Sequence, residues 1–204
     1  MKLYDGGKAP NPRRVRIFLA EKGLPLPPLV PVDLGKGENL TPAFAGKNPW
    51  QRVPVLELDD GTMISESVAI CRYFEELHPE PALFGRGARE RAEIEMWHRR
   101  LEFGVYLAAQ AVFRHLHPAM AQAEIPQVAV WGEANRAKVE VEWRRIDRAL
   151  SGRPFIAGDK FSIADILGGI AVDFLRWAKL TVPPDCAAVA RWHAALTARP
   201  SWTA

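Results

Sequence analysis

A chain of 204 residues, 48% hydrophobic and 25% charged with no long low-complexity tract, has room for one large domain or two small ones, and its composition excludes a disordered protein. The formal net charge of +3 sets 27 Lys and Arg against 24 Asp and Glu, and the two signs alternate in tracts such as ARERAEIEMWHRRLE. That interleaving describes solvated helix faces and argues against nucleic acid as a partner.

The chain opens on a strand-like MKLYD without a basic stretch leading into an apolar core, so no signal peptide is expected and a cytoplasmic location is. Pro12 to Lys22 reads as a helix with Val15, Phe18 and Leu19 on one face, Arg13 and Arg16 off it, and Gly23 ending it. LVPVDL is a second strand, followed by a loop with Gly35 and Gly37 and a short helical turn at Pro42–Ala45. VPVLEL and TMI then flank Asp59-Asp60-Gly61, a strong hairpin signal between β-rich runs. Ile70, Tyr73, Phe74 and Leu77 mark the next helix, which makes the order βαβ and then ββα.

At HPEPALFGRG the composition turns to proline and glycine, and strands disappear beyond it. The expected division is a first domain at 1–79, a linker at 80–87 and an all-helical domain at 88–204. Helices are expected near 88–118, 126–150, 162–178 and 186–198, with stripes such as Val139, Trp143, Ile146 and Leu150 facing a core. Tracts such as FGVYLAAQAVF are broken by polar residues and fall short of the about 20 apolar residues that cross a membrane. The two cysteines, Cys71 and Cys186, lie far apart in or beside helical patterns, as in a reducing compartment without a disulfide framework.

Two local features carry chemistry. Proline lacks the N–H that a strand ladder needs, so Pro54 either starts its strand or follows a cis peptide that turns the backbone of Val53 toward a bound peptide. Ser65-Glu66-Ser67 stands where a strand meets a helix, and a serine there is either an N-cap or part of an anion site. Val68 and Ile70 stand where a capping box needs Glu or Gln. Glu66 is suited to an ammonium group and Ser67 to a carboxylate, together the head group of an α-amino acid.

The order of these elements resembles the cytosolic glutathione transferases, bacterial in type. The likeness runs through NPWQRVPVLELDDGTMISESVAICRYF and through GDKFSIADI, where Ser162 and Asp165 match the family's capping box, and it covers essentially the whole chain. It implies an α/β thioredoxin-like N-terminal domain with a mixed four-stranded sheet, followed by an all-α domain. It further implies a homodimer that uses glutathione as co-substrate, needs no cofactor or metal, and detoxifies small apolar electrophiles or reduces disulfides and peroxides. By this resemblance Val53, beside a cis Pro54, pairs with the cysteinyl backbone. Glu66 and Ser67 hold the γ-glutamyl head, and Gln51 and Arg52 lie near the glycyl end.

One departure stands out. The family's serine or threonine that steadies the thiolate falls near Ala9, which donates no side-chain hydrogen bond. Pro10-Asn11 and the VDLGKG segment are similar to the Nu-type members, in which an asparagine serves, so Asn11 is the catalytic candidate; the alternative is that Asn11 N-caps the first helix with Pro12 at its first position. Tyr4, inside the first strand, is assigned to the core, and Cys71 is structural. Phe103, Tyr106, Phe113 and Trp177 are weak candidates for the second-substrate pocket, an aromatic stripe that equally describes a core. His115 and His117 lack a third ligand for a metal. A second functional class, a binding or interaction protein of this fold with little catalysis, would follow from the hydroxyl missing at Ala9.

Overall fold

The computed structural model describes residues 1–204 and divides into two compact units, Met1–Leu83 with Pro200–Ala204, and Phe84–Arg199. The first unit holds strand β1 (Lys2–Asp5), helix α1 (Pro10–Glu21), strand β2 (Leu29–Pro31), the short helix α2 (Pro42–Ala45), strands β3 (Val55–Glu57) and β4 (Met63–Ser65), and helix α3 (Ser67–Leu77). The sheet order is β2-β1-β3-β4: β1 runs parallel to β2 and antiparallel to β3, and β3 runs antiparallel to β4. This is the mixed four-stranded sheet that the family resemblance implied.

Helix α1 begins earlier than its apolar periodicity suggests. Pro10 and Pro12 both fall in the first turn, where backbone N–H groups have no intrahelical acceptor and a missing donor costs nothing. Ala9 is therefore the N-cap, and no side chain caps the helix. The other end closes at Gly23, whose φ of 64° suits a residue without a Cβ; its N–H donates to the carbonyl of Ala20 and that of Leu24 to Leu19. Leu3, Ile17, Phe18, Leu19, Leu56 and Ile70 are fully buried, which is what the helical and alternating patterns were built to achieve.

The hairpin forms at Asp59-Asp60-Gly61. Leu58 N–H donates to Thr62 at 2.9 Å, and Thr62 N–H donates to the Asp60 carboxylate, a bond that holds this carboxyl below its usual pKa.

The second unit contains α4 (Gly87–Arg100), a π-helical turn (Leu101–Tyr106), α5 (Leu107–Leu116), α6 (Ala129–Leu150), α7 (Ile163–Phe174) and α8 (Ala187–Thr197). The single helix expected near 88–118 is thus interrupted by a π segment. Helix α7 starts with the predicted capping box. The buried Asp165 carboxylate accepts from the Ser162 N–H and hydroxyl, from Ile156 N–H and from the Trp192 indole, all at 2.9–3.0 Å. Burial nevertheless pushes its pKa up to about 6.

The last five residues pack in the first unit instead of the helical domain to which the sequence assigned them. Arg13 donates to the Trp202 carbonyl at 3.0 Å and stacks on its ring at 5.1 Å, and Ser201 donates to Glu21. Those partners are almost two hundred residues away in sequence, beyond the reach of local pattern.

Candidate functional site

The pairing of β3 with β4 sets the geometry of the site. Val55 lies opposite Ser65 as the last pair of the ladder, so the residues just before Val55 and just after Ser65, Val53-Pro54 and Glu66-Ser67, leave the sheet at the same end. Strand β3 begins one residue after Pro54, and the Val53–Pro54 peptide bond is cis. Val53 precedes the strand and lies outside its ladder. Beneath it the chain must be thin, because a Cβ on Gly6 would lie 2.8 Å from Val53 Cγ2 and 3.0 Å from Leu34 Cδ1.

Glu66 is the N-cap of α3, exposed, and its backbone sits at φ 68°, a region that a non-glycine residue enters only at a cost of about 1–3 kcal/mol. Its side chain makes no capping bond. Ser67, the first helical residue, is 4% exposed, and its Oγ accepts a 2.8 Å hydrogen bond from Arg14 Nη1. The corner can offer one ligand three things: strand-entry backbone at Val53, a carboxylate at Glu66, and a hydroxyl at the positive end of a helix at Ser67.

The loop before Val53 is held by residues that pattern reading passed over. Asn48 is buried; its amide donates to the Arg52 carbonyl at 2.8 Å and its oxygen accepts from Trp50 N–H at 3.1 Å. Asn39 donates to the Gln51 carbonyl at 2.9 Å. Gln51, with φ 54°, turns its side-chain amide to the Leu40 carbonyl at 3.2 Å, so in this structure it ties the loop to the 38–40 turn. Arg52 is exposed. The only local signal for this scaffold was the Asn-Pro pair at 48–49, a turn former.

At the other end of the site, Asn11 occupies the second position of α1 and is half-buried. It is not the N-cap, so the capping alternative gives way to Ala9, for the reason the two prolines supply. Tyr4 is part of the core with Val32, Phe44 and Val55, and its hydroxyl donates to Glu57 at 2.7 Å, which holds that carboxyl below its usual range. Burial pushes the Cys71 thiol up to about 12, far from a nucleophile's range.

Of the four aromatic candidates in the second unit, two come together. Tyr106 and Phe113 both meet Phe174 edge-on, at 5.6 and 5.7 Å between centroids. Phe103 and Trp177 are exposed instead, stacked against Arg99 and Arg176. Phe174, a member of the apolar stripe of α7, is the residue that organises the cluster. His115 and His117 accept backbone N–H bonds from Val128 and Ala119 through their Nδ1 atoms.

Residues 9–77 match the glutathione S-transferase N-terminal domain family and residues 107–200 the glutathione S-transferase C-terminal domain family. Glutathione S-transferase 2 of Saccharomyces cerevisiae is 39% identical over 203 residues, which span 98% of this chain and 87% of that protein. The crystal structure of Gtt2 from the same yeast superposes with a TM-score of 0.92 at 38% identity, covering 100% of this chain and 99% of that one. A glutathione S-transferase domain-containing protein of Marinobacter aquaeolei gives a TM-score of 0.94 at 39% identity, with 98% and 99% covered. The mixed-sheet domain joined to a helical one is the glutathione transferase fold. The chain belongs to the glutathione S-transferase family.

Proposed function

We propose that this protein is a glutathione transferase that delivers the glutathione thiolate to small apolar electrophiles, or uses it to reduce disulfides and peroxides. The observation that supports the reading is the β3–β4 register, whose last pair, Val55 opposite Ser65, brings Val53-Pro54 and Glu66-Ser67 to the same end of the ladder. A γ-glutamyl tripeptide fits those three offers: its cysteinyl backbone pairs with Val53, its ammonium meets Glu66, and its α-carboxylate meets Ser67 and the α3 amides. Gln51 and Arg52 serve the glycyl end.

Catalysis then rests on binding, orientation and thiolate stabilisation. A free thiol with a pKa near ~8.5 is mostly protonated at neutral pH, and the thiolate is the nucleophile. The Asn11 amide and the first-turn N–H groups of α1 favour the anion, with Ala9 contributing no hydroxyl. Tyr106 and Phe113 on Phe174 supply aromatic surface for the acceptor in the helical unit. The protein works as a cytoplasmic homodimer in detoxification, needing no cofactor or metal beyond its co-substrate.

The test is retention on immobilised glutathione, followed by paired assays with an activated aryl halide and with hydroxyethyl disulfide. Retention with either activity supports the proposal. Retention with neither would favour a glutathione-binding protein lacking catalysis, the reading that Ala9 raises. A light-scattering mass near 22.8 kDa would remove the homodimer.

A further inference from the structure

Helices α1 and α3 meet along a seam with matched polar positions. Arg14 faces Ser67 and Lys22 faces Glu75, each pair 53 residues apart. Positions 14, 18 and 22 form one stripe of α1, and 67, 71 and 75 one stripe of α3, so the two helices run side by side in register. The Lys22–Glu75 bond, at 2.6 Å, joins opposite charges at the far end of the seam from the site. The Arg14–Ser67 bond lies at the site itself, with the arginine only 2% exposed.

Donor chemistry gives that bond a direction. A guanidinium carries donors only, so Ser67 Oγ must be the acceptor at 2.8 Å. The hydroxyl's single proton is then left to serve another acceptor. Accepting from a cation also polarises the O–H and strengthens it as a donor. The arginine's field is felt along the seam, since it opposes the burial that raises the Cys71 thiol one turn further on. Glu66, as the N-cap, contributes no side-chain bond to this helix start, which keeps the positive end of α3 for an outside anion.

We infer that Arg14 is a positioning residue of the head-group site: it holds Ser67 Oγ as an acceptor and so turns the hydroxyl proton toward the ligand's α-carboxylate. This rests on the glutathione reading above and assigns a role to a residue that touches no ligand itself.

The test is a double-mutant cycle read by calorimetric affinity for two ligands, glutathione and its analogue lacking the γ-glutamyl α-carboxylate, γ-aminobutyryl-cysteinylglycine. Ser67→Ala and Arg14→Met should each weaken glutathione about tenfold or more, the loss of a hydrogen bond to a charged group. The double variant should bind within about twofold of Ser67→Ala alone, because Arg14 acts through the hydroxyl. Affinity for the analogue should change less than about twofold in every variant, which a general loss of structure would not produce. Should Arg14→Met not be recovered folded, Arg14→Lys takes its place, with the same coupling to Ser67→Ala at a smaller loss. Penalties that multiply in the double variant, or that fall equally on both ligands, overturn the inference and leave the glutathione reading standing. A wild-type chain that binds no glutathione overturns both.

Discussion

Replacing Asn11 by alanine separates chemistry from folding at the thiol end of the site. Because Ala9 is the N-cap of α1 and makes no side-chain bond, Asn11→Ala removes no cap and places the best helix former at the second helical position. Stability should therefore move by less than about 1 kcal/mol in urea denaturation. If the Asn11 amide donates to the thiolate, its loss removes a hydrogen bond to a charged group, about 1.5–3 kcal/mol. At 1.4 kcal/mol per decade that lowers kcat/KM roughly 10- to 150-fold in conjugation of an activated aryl chloride. The pH profile of kcat/KM should also shift to higher pH, since the thiol then ionises with less help, and Asn11→Ser should recover part of the rate. A kcat/KM within about twofold of wild type, at unchanged stability, would refute the role of Asn11 and leave thiolate stabilisation to the backbone of α1.

Glu66→Gln should raise KM for glutathione about two- to fivefold with little change in kcat, the scale of one exposed ion pair; steady-state kinetics at varied glutathione reads it. Asn48→Ala leaves the Arg52 carbonyl and the Trp50 N–H without their buried partner and should cost about 2–3 kcal/mol in urea denaturation, with weaker retention on immobilised glutathione. For Asp165 the folded pKa lies above the unfolded value, at about 6 against 3.8, so the native state takes up a proton first as pH falls. Its contribution is fully present below the unfolded pKa and is lost as pH rises through about 6, so the stability gap between wild type and Asp165→Asn should narrow between about pH 4 and 7.

Features that depend on a few adjacent residues were legible in the sequence. The Asp-Asp-Gly hairpin, the Ser162–Asp165 capping box and the strand that starts after Pro54 are each fixed by local backbone chemistry, and each forms where it was expected. Two prolines hid the start of α1. Apolar periodicity begins at Pro12, whereas the first turn of a helix tolerates proline at several positions, so the helix extends back to Pro10. The π segment at Leu101–Tyr106 left no signal, because an apolar stripe looks the same on either side of one inserted residue. The scaffold of the site was hidden for another reason: Asn39, Asn48 and Arg14 act through hydrogen bonds that only the folded chain assembles.

The two ends of the candidate site differ in what specifies them. At the proposed head-group end the last β3–β4 pair, the positive-φ backbone at Glu66 and the Arg14–Ser67 bond come together. Losing one side-chain contact there weakens binding but leaves the others in place, so KM should respond to substitution more than kcat. The proposed thiol end has the start of α1, with Ala9 as the N-cap and Asn11 at the second helical position. If Asn11 donates to the thiolate, single substitutions there should be felt in kcat. On that proposal affinity belongs to α3 and turnover to α1, two helices joined by the Arg14–Ser67 and Lys22–Glu75 bonds.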